Sequence, residues 1–566
     1  MASNSGDQIT ETTTWIEQFR QQHGRSPRIL HIGNIANNAY LNAKILNRAG
    51  FECDVICYDY YHVTACPEWE DADIQGDIED NFSPNWTCID LQGFCRPKWF
   101  VQGNIKSCIN YLVSRFSQNC KKTDYIWMAL SFLNKKSSQE LEEKSFGLYV
   151  QKMIQVILYD SAILIKLNDK ISVLLGNRNN YIYIIIKLII AVPIITIIAF
   201  IKIFLIPLYF FSLLVQEIKH KQFLKRNKQF LKRINQLQKI YINLFSEHIV
   251  RLIHSDLLSY ENSIESWEYL FAHYDVIHAY STDGILPLLS QVPYVAYEHG
   301  TIRDIPFQDT EQGRLCSLTY KLADWVCITN CDNIVAAKKL ELNNYSFIPH
   351  PINEDFLKFD AKSKDIRQEL VDELDTDFII FHPSRQHWES QRHPNWEKGN
   401  DIFIKGFARF ITEVAPKASA VFVEWGKCVD ESKKLLEELG ISHRIKWIPL
   451  QPNRQMIRYI HATDLLADQF YLGAFGSTMP RALACGKPAM LYLDEAIHQW
   501  CFEEMPPVIN TKTPEEVFYG LQKLYLDKNW ASSLAKSGKT WYAKYHSNSL
   551  IVRELSNIYS KIVMKK

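Results

Sequence analysis

Between Ala462 and Met490 the chain reads ATDLLADQFYLGAFGSTMPRALACGKPAM. A short apolar run, Leu465 to Phe470, meets a glycine-punctuated turn. A helical stretch then starts near Thr478 and closes at Gly486 and Pro488, before another apolar strand at Ala489. A strand that feeds a Gly-rich loop into a helix N-terminus leaves backbone N–H groups free and aims the positive end of a helix dipole at them. Phosphate is the natural guest, held by the backbone of Gly476, Ser477 and Thr478. The same pattern also serves an ordinary β–α–β connection, in which glycines only make the turn. A second basic element weighs for the anion. Arg385 in FHPSRQHW and Lys398, thirteen residues later, supply a planar fork and a compact point charge. Together with the loop they suit a diphosphate.

These residues need a scaffold, and the alternation around them describes it. Arg28 to Gly33 reads as a buried strand, GNIANNAY as a polar turn, Leu41 to Ala49 as a helix, and Phe51 to Asp59 as a second strand. Residues 61 to 140, rich in tryptophan and cysteine, show no clear period. Alternation resumes through DVIHAYS, YVAYEHG, WVCITN and YSFIPHP. It begins again at FIIFHPS and runs through AVFVEWG, RIKWIPL and LLADQF. The fold class expected is α/β, with two Rossmann-like doubly wound domains facing a cleft and an apolar helical insertion in the N-terminal one. Residues 1–27 form a loose tail, 28–360 the N-terminal domain, 377–530 the C-terminal domain and 531–566 closing helices. The insertion covers about 100–245, with helical spacing from Asn235 to His254.

Composition narrows the function classes. Lysine plus arginine balance aspartate plus glutamate at 63 each, so no global field favours nucleic acid. Thirteen cysteines occur without a Cys-x-x-Cys pair, which argues against a zinc site and, with no signal peptide, for reduced thiols in the cytosol. Tyr181 to Val215 carries only Lys187 and Lys202 as charges, more apolar length than the roughly 20 residues that cross a bilayer. A basic tract from Lys219 to Arg233 follows, as anionic headgroups favour. Strands of one sheet on both sides of this segment exclude a single crossing. A re-entrant hairpin at Pro193 or Pro207, or an interfacial helix, fits at the inner, cytoplasmic membrane face; the alternative is a helix buried in protein.

YEHGTIRDIPF (297–307), ADWVCITNCDN (323–333), FIPHPIN (347–353), HPSRQHW with KGND (382–401), and the ACGKP run resemble, in order and spacing, the two-domain GT-B glycosyltransferases, in particular glycosyltransferase family 4. The resemblance is strong over about 275–500 and weak over 28–60. It implies transfer of a sugar, with retention, from a nucleotide-sugar donor to a lipid-linked or cell-envelope saccharide acceptor. No metal and no cofactor beyond the donor are implied. Arg385 and Lys398 match the family's basic pair, and His299 matches the histidine that faces the donor sugar. Gly33 and Asn34 match the loop approaching donor and acceptor. Asp283, Arg303 and Asp304 are acceptor-side candidates. The family's Glu-x7-Glu falls on Gly473 and Arg481, and arginine cannot accept hydrogen bonds from ribose hydroxyls. A non-catalytic, membrane-tethered nucleotide-sugar-binding subunit of a polysaccharide assembly complex is therefore the competing reading.

Overall fold

A computed structural model describes residues 15–116, five positions between Thr123 and Leu130, and residues 228–245, 252–388 and 397–564. The chain divides into two compact units: residues 1–136 with 247–566, and residues 137–246. Tyr181 to Val215 lies outside the described residues. Among the described residues no helix is long and apolar enough to cross a membrane. In the second unit, residues 228–244 form a helix that buries Phe230, Ile234, Leu237 and Tyr241, one stripe at helical spacing. It is already helical at Lys228, the first described residue of this segment and seven ahead of the expected Asn235.

The first unit contains two wholly parallel sheets. The seven-stranded one runs β3-β2-β1-β4-β5-β6-β7. Its strands are β1 (Arg28–Ile32), β2 (Glu52–Tyr58), β3 (Phe100–Gly103), β4 (Val276–Tyr280), β5 (Tyr294–Tyr297), β6 (Trp325–Ile328) and β7 (Tyr345–Phe347). The six-stranded one runs β10-β9-β8-β11-β12-β13. It comprises β8 (Ile379–His382), β9 (Ser419–Val423), β10 (Ile445–Ile448), β11 (Leu465–Ala467), β12 (Ala489–Leu491) and β13 (Ile509–Asn510). Most strands of both sheets are short apolar runs buried along their length, as helix-covered parallel strands must be. Strand order reverses between β1 and β4 in one sheet and between β8 and β11 in the other, which opens a crevice at the carboxyl ends of each.

Three segments add to the expected alternation. The charged stretch after Asp360 is a full helix, Ala361–Leu374, whose N-cap carboxylate accepts from the Ser363 N–H. The run from 61 to 99 makes the short helix Pro67–Asp71 and a small cluster of Val63, Cys66, Trp69 and Trp86, against which Leu450 packs from beyond β10. From the same run, Asp73 bonds Arg458 at 2.6 and 2.9 Å and Lys362 at 2.9 Å. The closing helices also separate. Trp541 and Tyr542 of Lys528–Tyr545 join the core of the second sheet. Asn548–Val563 crosses back and buries Ile551, Leu555, Ile558, Tyr559 and Ile562 against the first. Tyr559 seals that return with a 2.7 Å bond between its hydroxyl and His278.

Candidate functional site

The reversal point of the second sheet is locked by His382, the last residue of β8. Its Nδ1 meets the Ala467 carbonyl oxygen at the end of β11, and its Nε2 meets the Asn400 side-chain amide, both at 2.9 Å. Burial pushes the ring down to about 4, so it stays neutral, with Nδ1 donating to the carbonyl. Ser384 donates to Asp468 at 2.7 Å. These bonds bring the segments after β8 and β11 into one wall, from which Arg385 and Lys398 project.

Both cations, with Gly476, line a cavity of about 280 Å³ that also takes in Arg303, Asn330 and Gln469. Lys398 donates to the side-chain Oε1 of Gln469 at 2.6 Å. Arg385 stands 5.7 Å over the Trp425 ring, and its Nε is buried without a hydrogen-bond partner. Arg303 is neutralised by Asp332, at 2.5 and 3.0 Å. No salt bridge reaches Arg385 or Lys398 among the described residues. Burial drives the Lys398 ammonium down to about 8, opposed by Asp468 and aided by the like charges of Arg385 and Arg303. Burial also lowers Arg385. Two desolvated cations with no carboxylate of the described residues in contact form a site that gains by taking up an anion.

The structure thus brings together four residues singled out in the sequence: Arg385, Lys398, Gly476 and Arg303. The last belongs with the cationic cavity and not with Asp283. His299 is not on the wall, although the next residue, Gly300, is. Its Nε2 is buried and unpartnered, and burial pushes the ring down to about 4. Asp304 heads the short turn Ile305–Phe307, also off the wall. Ser477 and Thr478 open the helix Thr478–Ala484, but the Ser477 hydroxyl and carbonyl accept from Arg481 at 2.6 and 3.0 Å. Arg481 is itself buried and turned back along its own helix. Gly473 has φ +70°, and an added Cβ would lie 2.9 Å from the Asp494 Cβ and 3.0 Å from the Tyr492 ring. A glutamate fits there only with strain. Asn330 and Gln469 escaped sequence reading, because neutral amides carry neither charge nor a diagnostic spacing.

The first sheet's reversal point holds the remaining candidates. Asp283, on the turn Ser281–Gly284 after β4, accepts from the Tyr58 hydroxyl at 2.5 Å. Burial pushes its carboxyl up to about 7, with Tyr58 opposing. The other carboxylate oxygen lies over Gly33, whose φ of +87° and missing Cβ permit that approach. Asn34 does not face a ligand: its amide donates to Asn37 and to the Ala65 carbonyl and accepts from the Tyr40 N–H. Among the described residues no group of three or more His, Cys, Asp or Glu side chains is placed to hold a metal ion.

No family model matches the chain. Part of it is similar to characterised bacterial proteins. One is the D-inositol 3-phosphate glycosyltransferase of Mycobacterium marinum, 38% identical over 98 residues, 16% of this chain and 20% of that protein. The counterpart from Mycolicibacterium smegmatis is 38% identical over 61 residues, 11% of this chain and 14% of that protein. The chain therefore spans about a fifth or less of the length of these relatives. Among solved structures, Anabaena HepE in complex with UDP aligns over 54% of this chain and 84% of its own, at 17% identity and a TM-score of 0.45. Sucrose-phosphate synthase from Thermosynechococcus elongatus aligns over 56% and 81%, at 14% and 0.42.

Proposed function

We propose that this chain is a glycosyltransferase that moves a sugar from a nucleotide-sugar donor to a lipid-linked or cell-envelope saccharide acceptor at the cytoplasmic membrane face. The observation that carries this reading is the pair Arg385 and Lys398, desolvated on one cavity wall with no carboxylate among the described residues in salt-bridge contact. The partial likeness to named glycosyltransferases supports it.

In the proposed reaction the bond between the anomeric carbon and the donor's diphosphate oxygen breaks, and its electron pair leaves on the diphosphate. Arg385 forks onto the phosphate oxygens and Lys398 supplies the point charge, with the Gly476 to Thr478 backbone beside them. Charge that develops on a leaving group inside a dry site is stabilised far more than in water. This neutralisation by the chain's own cations leaves no role that requires a divalent metal. His299, the match for the family's histidine at the donor sugar, stays neutral at physiological pH, one residue from the cavity-lining Gly300. The acceptor hydroxyl approaches from the first sheet, where Gly33 and Asp283 flank the crevice, and its oxygen bonds to the anomeric carbon with retention while its proton passes to the departing diphosphate. Arg481 and Gly473 replace the family's carboxylates, so the ribose is held differently from the family's usual way. Tyr181 to Val215 attaches the protein peripherally or by a re-entrant loop to the inner membrane, and nucleic acid is not a partner.

The replacements at 473 and 481 are what favour the second reading, a membrane-tethered nucleotide-sugar-binding subunit without turnover. Incubating the purified protein with uridine, guanosine and adenosine diphosphate hexoses separates the two. Slow release of free sugar and nucleoside diphosphate from one donor is expected. Tight binding with no release from any donor would overturn the enzyme.

A further inference from the structure

Opposite the wall that carries Lys398, the cavity is bounded by the segment after β6. Asn330 lines it, and Asp332 holds Arg303. Between them sits Cys331, 2% exposed. It opens the turn Cys331–Asn333, which packs against the helix Glu495–His498 of the second sheet's domain. The Trp500 indole donates to the Cys331 carbonyl oxygen at 2.8 Å. Cys501, next along and half-buried, packs in the same apolar cluster as Cys331. Its N–H donates to the His498 carbonyl at 2.9 Å. His498 is fully buried; its Nδ1 meets the Asp494 carbonyl oxygen at 2.7 Å, and its Nε2 is buried without a hydrogen-bond partner. Two thiols from the two sheets' domains and one imidazole thus pack together beside the segment that lines the cationic cavity.

We propose that Cys331 and Cys501 are an oxidisable pair, which peroxide converts to a disulfide that staples the two domains across the cleft, with His498 as the base. The half-buried Cys501 thiolate attacks one peroxide oxygen, giving a sulfenic acid and releasing hydroxide, which is protonated to water. His498 Nε2 takes the Cys331 proton. The resulting thiolate attacks the sulfenic sulfur and expels a second hydroxide, which leaves as water. Two thiols and one hydrogen peroxide give one disulfide and two waters.

The electrostatics fit this order. Burial holds the Cys331 thiol well above its usual range, raised further by Cys501 and lowered by His498. Burial lowers His498, yet the thiol beside it and the Asp494 carbonyl raise it overall. Cys331 is therefore inert alone and reacts through its neighbours. The staple fixes the turn that follows the cavity-lining Asn330 and holds Asp332 against Arg303, so oxidation restrains the site while consuming none of its residues. This chemistry does not depend on what the cavity binds.

The test is peptide mapping of the reduced full chain after hydrogen peroxide and N-ethylmaleimide. A linked pair of peptides containing Cys331 and Cys501 is expected, with a melting temperature several degrees above the reduced form. Cys501→Ser should give no such link while melting like the reduced wild type. His498→Gln should form it about tenfold more slowly. Oxidation confined to the exposed Cys88 and Cys95, with Cys331 still free, would overturn the pair, and an unchanged rate in His498→Gln would overturn the base.

Discussion

Lys398 is the residue on which the electrostatics of the cavity turn. An exposed lysine keeps its proton far above physiological pH, but desolvation and two neighbouring guanidinium groups bring this one down to about 8. Only the protonated amine is a diphosphate ligand. Affinity for a nucleoside diphosphate should therefore hold steady below about pH 8 and fall as pH rises through it, a trend readable by calorimetry between pH 7 and 9.5. Lys398→Arg, which stays charged, should flatten the curve; a wild-type affinity that rises over this range would contradict the assignment. Arg385 and Lys398 were legible in the sequence because their charges flank a recognisable strand end. Gly473 was visible only as a departure, and its cause is backbone: φ of +70° and the closeness of Asp494 and Tyr492 exclude an unstrained glutamate. The partnering of Arg303 with Asp332 needed the fold, since nothing in two separated residues says which charge meets which.

At the scale of elements, strand and helix alternation was readable wherever apolar runs of four or five residues met glycine or proline. What periodicity does not encode is which sheet an amphipathic helix covers. Asn548–Val563 shows an apolar stripe suited to any parallel sheet, yet it lies on the first one, whose last strand (β7, ending at Phe347) is just over two hundred residues upstream in sequence. The run from 61 to 99 was illegible for a related reason: its order comes from a small cluster of irregularly spaced apolar residues that Leu450 completes, and from Asp73 reaching Arg458. Leu555 is fully buried in that first core. Leu555→Ala should cost about 2–5 kcal/mol in chemical denaturation. Hydrogen exchange should show protection lost first in β1 and β4, and loss confined to β8 to β13 would mean the returning helix does not support the first sheet.

For the whole molecule, two crevices at strand-order reversals lie within one compact unit, one carrying the unneutralised cations and the other the Tyr58–Asp283 pair. The proposal adds a membrane attachment through Tyr181 to Val215, argued from the sequence. Removing those residues should shift the protein from the floating to the soluble fraction in flotation with vesicles containing anionic lipid. Continued flotation of the deletion variant would refute that attachment. The account rests, however, on the cavity as a diphosphate site. Its most direct test is calorimetric titration of wild type and Lys398→Ala with uridine, guanosine and adenosine diphosphates, each beside its nucleoside. A lost charge-assisted bond is worth about 1.5–3 kcal/mol, so diphosphate affinity should fall roughly 10- to 150-fold while nucleoside affinity stays within about twofold. Equal losses for both ligands, or no binding of any diphosphate by wild type, would contradict it.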